Sequence, residues 1–294
     1  MSFPARFVES AFFSPDSRRY WQAEHYGLDG TEFTCLAPSG ASLSGLLLHA
    51  GGNFKNHPAG TVLYCHSGRM NREYNLPQAA FLAEAGLNVV LFDYEGYGHS
   101  GGSPSLDRLG EDAAAVVSWL DASPWKTGRI ALFGQFVGAD AALQYLHAHP
   151  DRVAGLLLES CYATRRGWVR DKWGPLLGDV LARFLQSDAV EPAQAVSGSH
   201  VPTTLICPGR DFVVHARERR AMMAALPPQA DVWKADGCRF LGVFGGQRNS
   251  LQEKAVHFLR DKCLQWKASR RKRHQDAGAA SAAPAQGKAL EAAA

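Results

Sequence analysis

No stretch of 18 consecutive apolar residues occurs in the 294-residue chain, so no segment is predicted to span a membrane. The opening residues, MSFPARFVESAFFSPDSRRYW, hold no continuous apolar run, and a secretory signal is not expected. The six cysteines, at 35, 65, 161, 207, 238 and 263, form no CxxC pair, which argues against the usual thiolate metal and redox motifs. Scattered thiols fit a reducing compartment, so the protein is expected to be cytoplasmic. Strong charge of one sign is also missing. Up to residue 266 the chain carries 25 Lys/Arg and 26 Asp/Glu, and the net +3 arises at its end. A neutral body offers no evident nucleic-acid surface. No metal-ligand spacing or cofactor motif is present, and none is expected to be bound. Finally, no histidine occurs between His215 and His257.

What is present is alternation. SLSGLLLHA (42–50), TVLYCHS (61–67), NVVLFDY (88–94), RIALFG (129–134), RVAGLLLES (152–160), VPTTLICPG (201–209) and ADVWKADG (230–237) read as strands. Between them lie helical patterns at 76–86, closed by Gly86, and at 106–123, 137–150, 215–227 and 250–267. Continuous apolar strands alternating with helices predict an α/β protein: a mostly parallel, doubly wound sheet with helices on both faces. The first two strands are expected to form an antiparallel edge. Residues 161–200 break the alternation and are expected to cover the strand ends as a small cap, with Trp168 and Trp173 packing it. Residues 1–29 read as an N-terminal extension, 30–266 as the domain, and 267–294 as an unstructured basic and Ala-rich tail.

In such sheets sites form beyond the carboxyl ends of the strands. There IALFGQFVGADAAL (130–143) turns from strand to helix through Gly134-Gln135-Phe136-Val137-Gly138-Ala139. Flanking glycines let strand and helix approach closely, so the central residue stands on a strained turn. This segment resembles the nucleophile elbow, G-x-S-x-G, of the α/β-hydrolase superfamily. Other segments resemble the same superfamily in the same order. LYCHSGRMNRE (63–73) is similar to the loop that helps to build the oxyanion hole, and LFDYEGYGHSGGSPS (91–105) to a D-x-x-G-x-G-x-S run. ICPGRDFVVH (206–215) is similar to the loop carrying the catalytic acid. The resemblance covers roughly 30–266 and is strongest to lysophospholipase, serine-aminopeptidase and acyl-thioesterase-like branches.

The resemblance implies a nucleophile at Phe136, an acid at Asp211, and a histidine at Arg239 or Phe240. It also implies an oxyanion and cleft region at His66, Ser67, Gly68, Gln135 and Val137, with elbow glycines Gly134 and Gly138. Phenylalanine carries no nucleophilic atom, and arginine cannot accept a proton at neutral pH. Two of the three triad roles are therefore unfilled, and Asp211 is left with Arg239 as a candidate partner. Phe136 is expected to fill the former pocket.

The sequence-level expectation is a degenerate hydrolase that keeps a cleft for a small apolar or acyl ligand. One alternative is an active ester or thioester hydrolase with a relocated group drawn from Cys65, Cys161, Cys207, Cys238, His66 or His99. Another is a non-enzymatic interaction protein. His66 is expected to be structural, Asp93 and Ser100 to shape their loop, and Arg69 and Arg72 to lie in a solvated loop.

Overall fold

In a computed structural model the chain is described over residues 3–245 and 249–281. Eight strands form one sheet: β1 Gly30–Leu36, β2 Ser42–Leu48, β3 Thr61–Cys65, β4 Asn88–Phe92, β5 Ile130–Gln135, β6 Val153–Glu159, β7 Thr203–Arg210 and β8 Asp231–Arg239. Their order across the sheet is β1-β2-β4-β3-β5-β6-β7-β8. From β4 to β8 all neighbours are parallel, whereas β1–β2 and β2–β4 are antiparallel. The predicted doubly wound, mostly parallel sheet is therefore present. β3, β4, β5 and β6 are buried at every residue, as strands covered on both faces must be.

The antiparallel edge is not the expected one. Thr61–Cys65 lies parallel in the middle of the sheet, and the antiparallel partner of β2 is Gly30–Leu36. That strand alternates exposed and covered side chains, which hides it among polar residues in the sequence, while the uninterrupted apolar run TVLYC marks an interior strand.

Beside a one-turn helix at Arg72–Asn75, the α-helices of the described residues are α1 Phe3–Ser10, α2 Ala80–Glu84, α3 Leu109–Ala122, α4 Val137–Ala148, α5 Arg165–Trp173, α6 Pro175–Ala182, α7 Pro192–Ser197, α8 Ala216–Ala225 and α9 Ser250–Ser281. Two differ from expectation. The 76–86 helix is split into a 3₁₀ turn at Leu76–Gln78 and α2, with Pro77 in the first turn. α9 passes Lys267 and runs to Ser281, because ASRRKRHQDAGAAS is rich in strong helix formers. The rest of the predicted tail, 282–294, lies outside the described residues.

The segment 161–200, expected to form a cap, folds into the helices α5, α6 and α7. It is fastened from two sides. Arg165, fully buried at the start of α5, makes a bidentate pair with Asp140 of α4, at 2.8 Å from Nε to Oδ2 and 2.6 Å from Nη2 to Oδ1. Its remaining donors reach the carbonyls of Ala189 (2.8 Å) and Val190 (2.9 Å). Asp140 also accepts from Tyr162 Oη (2.7 Å) and Gln144 Nε2 (2.9 Å). On the other side, Glu218 of α8 accepts from the amides of Ala163 (3.1 Å) and Thr164 (2.8 Å).

The N-terminal extension is part of this assembly. Ser14–Pro15 pairs with Arg69–Met70, and the ring of Phe12 lies 4.3 Å from that of Trp168 in α5.

Removing one member of a buried, hydrogen-bonded ion pair leaves the other charge uncompensated. Arg165→Met is therefore expected to lower unfolding stability in urea by about 3–5 kcal/mol. Asp140→Leu added to Arg165→Met recovers part of that loss, because no stranded carboxylate remains. A double variant less stable than the single one contradicts the assignment.

Candidate functional site

Among the described residues, four that are not glycine have positive φ: Met70 at 57°, Phe136 at 52°, Ser160 at 53° and Leu241 at 55°. They stand just past the carboxyl ends of β3, β5, β6 and β8. Such conformations cost about 1–3 kcal/mol each and persist where surrounding structure enforces them. Strain thus collects at the end of the sheet where the candidate residues lie.

Phe136 joins β5 to α4 with φ 52° and ψ −110°. The close approach behind it demands glycine. A Cβ on Gly134 would sit 2.4 Å from the Gly138 carbonyl oxygen, and one on Gly138 would sit 1.9 Å from the Cys65 carbonyl oxygen. The turn is tied to the neighbouring strand by the Phe136 amide, which donates to the Glu159 carbonyl at 3.0 Å. The loop after β3 lies against it: a Cβ on Gly68 (φ 73°) would come 3.1 Å from Val137 Cβ. That loop is closed on itself, because the Gly68 amide donates to His66 Nδ1 at 3.3 Å and Ser67 Oγ donates to Asn75 Oδ1 at 3.2 Å. The Gly68 carbonyl is also taken, by Tyr97 Oη (2.8 Å) and the Ser14 amide (3.0 Å).

The Phe136 ring is buried in a nest of aromatics, with ring centroids at 5.3 Å to Trp168, 5.5 Å to Tyr162 and 5.5 Å to Phe240. The sequence left Arg239 and Phe240 as alternatives; it is Phe240 that turns inward against Phe136, whereas Arg239 is exposed. Among the described residues no ion pair joins Arg239 to Asp211, so the candidate partnership is not formed; the end of β8 directs the arginine outward. Asp211 Oδ1 accepts from the amides of Val213 and Val214, each at 2.9 Å. Its Oδ2 is buried and has no partner. Phe212, beside it, is 66% exposed and its ring lies 6.1 Å from that of Phe240.

Gln135 does not open onto a cleft. It is fully buried, accepts from Tyr64 Oη, and donates to Glu159 Oε2 at 2.5 Å. Glu159 ends β6 and is fully buried. Burial pushes its carboxyl up to about 7; the Gln135 hydrogen bond works against this, and the nearby Asp211 charge reinforces it. Sequence reasoning missed Glu159 and Ser160, although a lone acid ending the apolar run RVAGLLLES was the available signal. It also missed Phe12 and the Arg165–Asp140 pair, for which no local signal exists.

Of the alternative groups, His66, Cys65 and Cys161 are buried. Burial lowers His66 to about 3, which keeps the imidazole neutral, and its Nε2 has no partner. Burial pushes the Cys65 and Cys161 thiols up, away from the thiolate a nucleophile needs. His99 is exposed. Asp93 accepts from the Arg72 amide at 2.7 Å, and Ser100 Oγ donates to the Asp93 carbonyl at 2.8 Å, as loop-shaping groups do. Arg72, expected in a solvated loop, is buried between Glu32 (2.6 Å) and Asp93 (3.3 Å), since two acids offset its desolvation. Arg69 is exposed. Among the described residues no group of three or more His, Cys, Asp or Glu is placed to hold a metal ion.

Residues 56–199 match the family described as "Serine aminopeptidase, S33". A strained elbow after the fifth strand, flanked by an acid loop after the seventh, is the arrangement of that superfamily. The chain has the α/β-hydrolase fold, and just under half of it matches that family. An esterase of Pyrococcus furiosus has the same fold, with a TM-score of 0.69 at 19% identity over 85% of this chain and 98% of that one. A serine hydrolase without a lid from Xanthomonas campestris aligns with a TM-score of 0.55, at 19% identity over 81% of this chain and 95% of that one. An uncharacterised protein of Mycobacterium tuberculosis is 32% identical over 185 residues, 60% of this chain and 63% of that one. The chain thus spans under two thirds of that relative's length. No helix among the described residues is long and apolar enough to cross a membrane.

The buried carboxyls predict a pH dependence. Glu159 and Asp112 are each pushed up to about 7, and Asp93 to about 6, all chiefly by burial. Each holds a proton in the folded protein that the unfolded chain has released, so their contribution is full below the unfolded values and is lost as pH rises toward neutrality. His66, lowered to about 3, works in the opposite sense below its unfolded value and offsets part of this. With three raised carboxyls against it, urea stability of the protein is expected to fall between about pH 4 and pH 7. Glu159→Gln removes a share of that slope of up to about 3 kcal/mol. Stability that rises over this window contradicts the assignment.

Proposed function

We propose that this α/β-hydrolase-fold protein is catalytically silent toward serine-type ester hydrolysis and binds a small apolar or acyl ligand at its former active site. One observation carries the reading: two phenylalanine rings meet at 5.5 Å where a nucleophile and its base would have to meet, while Asp211 Oδ2 is left buried without a partner. On this reading Phe136 holds the nucleophile position, Phe240 the histidine position and Asp211 that of the acid. Neither ring can give up or accept a proton. The aromatic nest instead suits apolar recognition, and exposed Phe212 beside Phe240 is the surface such a ligand would meet first. The free thiols of Cys35, Cys65, Cys161, Cys207 and Cys238 suit a reducing compartment such as the cytoplasm.

The orphaned carboxylate supplies the test. In Phe136→Ser/Phe240→His a serine stands on the strained turn and an imidazole beside Asp211. The wild type is expected to hydrolyse p-nitrophenyl butyrate at the background rate, and the double variant measurably above it, with the gain lost again on Asp211→Ala. A wild-type rate well above background that collapses in Asp211→Ala overturns the proposal. Binding is read separately, by quenching of tryptophan fluorescence on titration with methyl octanoate. Saturable quenching weakened by Phe212→Asp supports the ligand site, and its absence removes that half of the reading.

A further inference from the structure

The cap carries an apolar surface that the elbow does not use. Pro175–Ala182 turns its small residues inward: Gly178 and Ala182 are buried, and a Cβ on Gly178 would meet the Arg170 carbonyl oxygen at 2.4 Å. Its large residues point out. Leu176 is 87% exposed, Leu177 and Val180 are about half exposed, and Phe184 follows one turn beyond. The spacing 176, 177, 180, 184 places them on one face of α6 and its continuation. Phe7 of α1, also half exposed, extends the patch, its ring 6.3 Å from Trp173. A surface helix normally shows the opposite polarity, with apolar side chains inward.

The charges around this patch are one-sided. The acids of the cap helices are engaged: Asp179 by Arg170, and Asp171 by Arg217 at 3.6 Å. Four exposed cations remain: Arg6 beside Phe7, Arg166 reaching the Leu185 carbonyl at 3.4 Å, Lys172, and Arg183 beside Phe184. The Lys172 ammonium lies over the rings of Trp168 (4.9 Å) and Trp173 (5.5 Å). Among the described residues no ion pair neutralises any of the four. Protruding aliphatic and aromatic side chains ringed by cations match the interface of an anionic bilayer, where apolar groups enter the acyl boundary and cations meet the headgroups. A second copy of the chain fits less well. Five partly exposed side chains fall short of the ~800 Å² per partner that a stable interface takes, and the like charges of two rims would face each other.

We propose that the outer face of α6, with Phe7, docks this protein on anionic lipid surfaces. The contact is peripheral, and it brings the cap over the aromatic nest to the bilayer. It does not depend on whether the nest binds a ligand.

The test is co-sedimentation of the full chain with vesicles of phosphatidylcholine alone and of phosphatidylcholine mixed with phosphatidylglycerol. Binding is expected to the mixed vesicles only, and to weaken with added salt. Leu176→Ser/Leu177→Ser/Val180→Ser is expected to reduce binding more than tenfold, about the loss from two exposed leucines and a valine. Lys172→Glu/Arg183→Glu leaves the apolar face intact and is expected to weaken binding at least tenfold. It keeps the proposal falsifiable should the triple variant fold poorly. Three results overturn the proposal: no binding to mixed vesicles, binding that both cap variants retain, or a dimer in light scattering that the triple variant abolishes. The last would assign the patch to a second copy.

Discussion

The ion pair between Arg165 and Asp140 is the contact on which the carboxyl end of the sheet depends. Both groups are out of water, a state that costs several kcal/mol per ion unless the charges are paired and their other hydrogen-bonding capacity is met. Here it is met: the guanidinium donates to both carboxylate oxygens and two carbonyls, and the carboxylate also takes Tyr162 and Gln144. Asp140 lies one turn into the helix that Phe136 opens. The same pair that fixes the cap therefore also fixes the helix side of the strained turn. Tyr162, held through its hydroxyl, presents its ring to Phe136. Polar satisfaction on one side of the elbow and aromatic packing on the other are thus one structure.

That arrangement explains how a left-handed phenylalanine survives. Positive φ on a bulky residue is an outlier, and it relaxes unless its neighbours prevent it. Gly134 and Gly138 let β5, α4 and the end of β3 pack in direct backbone contact, with backbone atoms in the space a Cβ would take. The Phe136 amide is held by Glu159, and its carbonyl receives the Ala139 amide at 3.0 Å. The turn is over-determined by backbone contacts that are indifferent to the side chain it displays, so its geometry does not depend on which side chain stands there.

Most of this architecture was legible in the sequence, and for a physical reason. Interior parallel strands are buried on both faces, so RIALFG and RVAGLLLES stand out as unbroken apolar runs, and the glycines at 134 and 138 record a steric demand local to the turn. Gly30–Leu36 was illegible because an edge strand half exposed to water has no such run. The Arg165–Asp140 pair spans 25 positions and joins two residue types that usually lie in solvent. Glu159 differs: an acid closing a wholly apolar strand was visible, but its raised proton affinity comes from burial and from Asp211, which only the folded chain brings near. The choice between Arg239 and Phe240 was equally beyond the sequence, since it turns on which of two adjacent side chains the end of β8 directs inward.

The two phenylalanines also constrain one another. Phe136 alone, facing an imidazole beside Asp211, would strip water from a group that has to be charged or hydrogen-bonded, and a buried unpaired polar ring costs about 1–3 kcal/mol. Phe240 alone, facing a serine, would leave that hydroxyl buried against an apolar ring at a similar cost. Together they meet nearly edge to face, at 5.5 Å and 85°, the orientation in which one ring's positive edge points at the other's negative face. The pair is therefore worth more than its members, and replacing either one singly is less favourable than replacing both. Only the acid is left out of this exchange: Asp211 keeps two amide hydrogen bonds on Oδ1, which hold its carboxylate in place, and gains nothing on Oδ2. Two of the three positions are packed with aromatic rings, and Asp211 is held by the backbone of its own loop.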